Sequence, residues 1–250
     1  DGGTLTCDYS ISIGSDAADG ILRLSGGTIV TRELSLGTRG TLVFDGTGGT
    51  LCVNRLQGLP DTVDMAGSLH LGVAEMLGDG QHSLAPGQAL DIGEDFVVGW
   101  TGSATMTQTG GGLRVGQDLC LAHDHAKNGE YRLEDGFVSA RRLIVGIEGR
   151  GFMDQRGGFV SAMDTVLGAG GEPDMSFYVL ENGDFVSNSL TIGKGQFSWQ
   201  EGTFTPGRTV IGTGGTLSIS MDEWAPGETV SLQGGRLVAT GALLNLNTYP

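Results

Sequence analysis

The chain has 250 residues, of which 46 are glycine and 6 proline, and a formal net charge of −15. These values exclude a strict Gly-X-Y collagen repeat and a charge-rich disordered chain. With only two lysines, Lys127 and Lys194, no basic patch can neutralise a run of phosphates, so nucleic acid is excluded as a partner.

Insertion into a membrane as a helix is not expected, because no stretch reaches the roughly 18 apolar residues that a spanning helix requires. Cys7, Cys52 and Cys120 lie far apart and do not read as a disulfide framework, although two of them could pair. The dominant feature is a repeated step of ten residues between glycines. It joins Gly27 to Gly37, Gly136 to Gly146, Gly158 to Gly168, Gly183 to Gly193 and Gly202 to Gly212, and it joins Gly235 to Asn245. Glycine and asparagine are the residues that best accept positive φ, so the step marks turns. Apolar residues alternate between and before these turns, in units of roughly 19–25 residues, which is the pattern of a parallel β-helix.

In chain order, residues 1–14 read as most of one coil, with Leu5, Ile11 and Ile13 apolar and no polar or helical cap. Residues 27–37 form a regular second coil, and a third begins at Thr50, Leu51 and Cys52. From 58 to 92 the spacing fails, which predicts an irregular coil or a projecting loop. Regularity returns at Phe96 and continues to Leu244, followed by a short tail at 246–250.

Numbered from the first glycine of each step, the positions five and three residues earlier are Leu22/Leu24, Tyr131/Leu133, Met153/Gln155, Tyr178/Leu180, Phe197/Trp199 and Val230/Leu232. Ile29, Val138, Val160, Phe185, Phe204 and Leu237 form a second inward column, and pairs such as Leu143/Val145 and Leu190/Ile192 a third. The expected fold is therefore all-β: a single-domain β-solenoid over residues 1–250, with about ten coils and three short strands per coil. Parallel crossovers in one sheet are right-handed in about 98% of cases, so a right-handed parallel β-helix is expected, with a body roughly 50 Å long.

Outward positions are equally readable. Val97, Cys120, Ile144, Val166, Thr191, Val210 and Leu243 fall in one outward row, an apolar stripe suited to contact with another chain or an appended segment. Their β-branched character also suits plain strand formation. Phe137 and Phe159 share an outward column on adjacent coils, where exposed aromatics bind a sugar ring or, as the favoured reading, form a stabilising ladder. His123, Asp124 and His125 are the one dense set of metal-ligand types, and a solvated loop is the preferred reading. Glu134, Asp118, Asp154 and Asp164 are available for polysaccharide cleavage. The coils from residue 93 onward are short and leave little material to wall a groove. No enzyme and no cofactor are expected, beyond diffuse Ca²⁺ association with an acidic surface.

The segments NGEYRLEDGFVSARRLIVG and GRGFMDQRGGFVSAMDTVLGAGG resemble the glycine-rich repeats of bacterial autotransporter-like passengers and of PEP-CTERM-associated surface proteins. That resemblance implies export and a place at the cell surface or in extracellular matrix. Together these readings predict a non-enzymatic structural or adhesive β-solenoid that associates with itself, head to tail or laterally, into a filament or surface assembly. The alternative is a β-helix that binds or degrades polysaccharide, with glycans as its partners.

Overall fold

The computed structural model describes residues 3–24, 26–37, 39–44, 50–57, 64–65, 68–71, 76–78, 80–87, 89–100, 102–125, 127–170, 176–220, 223–224, 229–240 and 243–244. Among these every regular element is a β-strand, and all strand pairs are parallel. The chain is a parallel β-solenoid in which eight strands stack in the smaller sheet and eleven along the larger, beside the about ten coils that glycine spacing suggests.

Its larger sheet follows an 11-strand path from Thr4–Ile13 through Thr28–Leu36, Gly112–Leu121, Phe137–Val145, Phe159–Leu167, Asp184–Ile192 and Thr203–Gly212 to Thr229–Gln233. The smaller sheet has eight strands, among them Ala104–Gln108, Asn128–Leu133, Arg150–Gln155, Ser176–Leu180 and Gly195–Trp199. In most coils the three expected strands become two, because the second and third fuse, whereas Ser68–Leu71 and Met76–Gly78, and Ala89–Ile92 and Phe96–Val98, stay separate. In Phe137–Val145, pairing with Phe159–Leu167 skips Arg141 and Met163. Arg141 and Arg142 are both exposed, so the in-out alternation changes phase there and the strand turns a corner without leaving the sheet.

The stretch at 58–92, where spacing fails, contributes strands to the same ladders. Ser68–Leu71 pairs in register with both Thr50–Gln57 and Ala89–Ile92, and Met76–Gly78 pairs with Phe96–Val98. Gly80–Leu84 pairs in register with Ala104–Gln108 in the smaller sheet, whereas residues 58–63, 66–67, 72–75, 79 and 88 and the tail at 246–250 lie outside the described residues.

Inward columns stack as apolar rows. Met106, Tyr131, Met153, Tyr178, Phe197 and Leu217 follow one another in register and are fully buried. Two polar rungs interrupt this interior. Tyr131 Oη donates to Gln108 Oε1 and Tyr178 Oη to Gln155 Oε1, each at 2.5 Å. Each glutamine then donates through Nε2 to one carbonyl of its own coil and one of the coil after: Gly111 and Phe137 for Gln108, Gly158 and Asp184 for Gln155.

The last coil departs from the expected phase. Val230 and Leu232 pair with Thr209 and Ile211, at the end of the long strand, and Leu237 pairs with Leu217 in the smaller sheet. Among the described residues Thr229–Gln233 continues the second half of Thr203–Gly212. Its turn is made by Gly234, with φ of 83°, and not by Gly235. Asn245 lies outside the described residues.

Candidate interaction surfaces

The outer row is in register as expected: Val97 pairs with Cys120, then come Ile144, Val166, Thr191 and Val210. Its first three members are not exposed. Val97, Cys120 and Ile144 are buried in a small cluster, separate from the interior, against which Trp100 and Ile147 pack. Both covering residues sit one position after a turn glycine, Gly99 and Gly146, whose positive φ values of 82° and 76° let the chain reverse there. Val166, Thr191 and Val210 are half-buried. Leu243 does not continue the row, because it pairs with Glu223 in a separate two-stranded sheet and Ser231 lies next to Val210. Burial, followed by the carboxylates of Asp118 and Asp95, pushes the Cys120 thiol up to about 12. It is held as a neutral packing group.

His123, Asp124 and His125 each face a different neighbour. The His123 ring lies 3.8 Å from that of Trp100, His125 Nε2 is 3.0 Å from Glu148 Oε2, and Asp124 Oδ1 accepts the His125 backbone N–H. Among the described residues no three His, Cys, Asp or Glu side chains converge as a metal set.

Phe137 and Phe159 are neighbours in register, and Phe159 is exposed. The Phe137 ring is turned back over Gly112, where a Cβ would fall 2.3 Å from Cζ. The Arg114 guanidinium sits 4.7 Å from its centroid. Phe137 is therefore a packing element of the preceding coil, with a cation–π contact as its lid.

At the corner of the long strands, Asp118, Arg142, Asp164, Ser189 and Arg208 stack in register. Asp118, Arg142 and Asp164 border a depression of about 360 Å³ that also includes Asp95, Gln117 and Arg141. Arg142 donates through Nε and Nη2 to the two oxygens of Asp118. Ser189 Oγ donates to Asp164 Oδ1 at 2.5 Å, and Asp95 Oδ1 accepts the Asp118 backbone N–H at 3.0 Å. Asp118 and Asp164 are thus brought together, but Arg142 stands between them and each carboxylate has a partner on the next coil. The arrangement is one ion pair and one hydroxyl–carboxylate hydrogen bond, each joining adjacent coils. Asp154 is on the smaller sheet, paired with Arg156 at 3.0 Å.

The first coil presents the largest exposed apolar groups. Leu5 pairs with Ile29, so both are at the same inward position, yet Leu5 is 55% exposed and Ile29 8%. Tyr9 is also exposed, and among the described residues no strand pairs with the outer edge of Thr4–Ile13. At the other end Leu232 is exposed. No protein-family model, curated protein or solved structure matches the chain.

Proposed function

We propose that the chain is a non-enzymatic structural rod of an extracellular or cell-surface assembly, and that it associates end to end through its first coil. The carrying observation is Leu5, an inward residue left 55% exposed where its partner one coil on is buried. A further parallel strand laid on Thr4–Ile13 would cover Leu5 and extend the hydrogen-bond ladder with no change of fold. The register shift between Cys7 and Ser10 divides that edge into two pairing segments, Thr4–Cys7 and Ser10–Ile13, matching the two halves of every long strand. A head-to-tail contact of this kind does not close on itself, and its product is a filament.

The resemblance of residues 128–171 to surface-protein repeats supports the extracellular assignment. The corner carboxylates, already engaged by Arg142 and Ser189, support a structural role over hydrolysis. Light scattering and electron microscopy across a concentration series test the proposal. The wild type should form rods lengthening in steps of roughly 50 Å, and Leu5→Glu should remain monomeric with unchanged circular dichroism. A wild type that is monomeric at every concentration overturns it.

A further inference from the structure

We infer that the hollow bordered by Asn128, Glu130, Arg150, Phe152 and Phe177 on the outer face of the smaller sheet is a binding subsite for a neutral oligosaccharide. The hollow has a volume of about 470 Å³. Its floor is made by Gly129 and Gly151, where the backbone lies against the preceding turn: a Cβ on either would fall 2.2 Å from a backbone nitrogen, of Ala122 and Gly146 respectively. The strands therefore sink at this point, and the outward residues that follow, Glu130 and Phe152, become its walls.

Glu130, Phe152 and Phe177 are consecutive members of one outward column. In neighbouring coils the same column holds Thr105, Gln196 and Thr216, which are polar as an outward strand position ordinarily is. Two phenylalanines there are not needed for the interior, which has its own aromatic column one residue away. Placed on adjacent parallel strands, they lie about 4.8 Å apart along the solenoid, a separation close to the length of one sugar residue in an extended chain. Their faces accept the C–H surface of a pyranose ring.

The polar rim suits hydroxyl groups. Glu130 Oε1 accepts from Arg132 Nε at 2.6 Å, and a carboxylate retains capacity to accept more. Two residues beyond Phe152 on the same face, Asp154 is only 4% exposed. Its Oδ2 meets Arg156, while its Oδ1 is shielded and has no hydrogen-bond partner. Asp154 lies outside the lining of the hollow, and the polar groups that a ligand would meet on the rim are Asn128, Glu130 and Arg150.

Charge selects among ligands. Around the hollow Glu130, Asp154 and Glu181 face Arg132, Arg150 and Arg156, which leaves no net positive charge, and the whole chain carries −15, so an anionic polymer is disfavoured. A peptide added as a strand would need a free edge, whereas both Arg150–Gln155 and Ser176–Leu180 are paired on both sides. A neutral sugar needs neither a cationic site nor an edge.

The test is calorimetric titration of the intact chain with cellohexaose, laminarihexaose, mannohexaose and, as the acidic control, hexagalacturonate. At least one neutral hexasaccharide should bind saturably and the uronate should not. Phe177→Ala and Phe152→Ala should each weaken binding by ~10-fold or more, Phe177→Trp should retain it, and melting curves of all three should overlay the wild type. The inference is overturned if no neutral hexasaccharide binds at millimolar concentration, if only the uronate binds, or if both alanine variants bind as the wild type does. Light scattering on the same samples separates this result from end-to-end assembly.

Discussion

The Tyr178–Gln155 rung offers a test of what holds one coil on the next. Tyr178 is fully buried, and burial raises its hydroxyl well above the ordinary tyrosine range, so it is a donor at every accessible pH. It donates to Gln155 Oε1, whose Nε2 donates in turn to Gly158 O at 3.3 Å and Asp184 O at 3.0 Å. Tyr178→Phe leaves Oε1 buried without its donor and should cost about 1–3 kcal/mol. Gln155→Leu orphans the hydroxyl and removes a donor from two turn carbonyls, which places it at the upper end of that range. Leucine fits the site, since Leu133 and Leu180 occupy the same column on either side. The double variant has no orphaned pair, so it should be more stable than the sum of the singles by roughly 1–2 kcal/mol. Because unfolding of a stacked array is not a single step, the assay is native-state hydrogen exchange. The probe is the Asp184 amide, which bonds Gly158 O at 2.9 Å. Each single variant should speed its exchange by about 5- to 100-fold, since 1.4 kcal/mol is a factor of ten. Strictly additive effects, or no change in either single variant, would refute the coupling.

Two further perturbations probe the outer row and its turn. Cys120 moves from 9.0 to about 12 on folding, and burial raises Tyr131 and Tyr178 as well, so the folded state keeps protons that the unfolded state gives up. Stability should therefore be level below about pH 9 and decline above it, and Cys120→Val should remove the first part of that decline; a urea midpoint unchanged to pH 11 would contradict this. Ala122 is the one non-glycine residue with positive φ among the described residues, at 58°. Ala122→Val, β-branched in that conformation, should lower stability by about 1–3 kcal/mol, whereas Ala122→Gly should stay within ~1 kcal/mol, both read from thermal melts.

The inward columns were legible because a strand has period two and a turn with positive φ needs glycine. Gly136 and Gly158, with φ of 95° and 66°, are placed correctly by spacing alone. Exposure was not legible in the same way. Whether Val97, Cys120 and Ile144 face solvent depends on where the turn residues Trp100 and Ile147 fold, and that direction is set by tertiary packing. The last coil was misphased because glycine is so abundant that Gly235 offered a ten-residue step while Gly234 made the turn. The phenylalanine pair drew attention to Phe137, which proves to pack on Gly112, whereas Phe152 and Phe177 passed unnoticed. Their signal was present as two aromatics in a column whose other members are polar.

The polar rungs carried a signal too, and it bears on how the rod is built. Met106/Gln108, Tyr131/Leu133, Met153/Gln155 and Tyr178/Leu180 alternate in register, so the repeating unit of this segment is two coils. The two kinds of coil close their turns differently. A glutamine coil satisfies turn carbonyls from inside, through Nε2. A leucine coil closes from outside, where Asp135 and Asn182 accept the N–H of Gly136 and Gly183 at 2.7 Å. Next in the column comes Trp199, whose indole N–H donates to Glu201 O and Gly202 O and so replaces the glutamine. Beyond it Phe197 stacks on Tyr178 at 4.6 Å and meets Phe204 at 4.8 Å, and packing takes over from hydrogen bonding. The first coil has neither device among the described residues: Leu5 is exposed and Ile11 and Ile13 are only half-buried. In a stack where each coil is stabilised by its neighbours alone, an uncovered strand edge gains most from a further strand, which is why a parallel strand laid on Thr4–Ile13 is expected to bury Leu5.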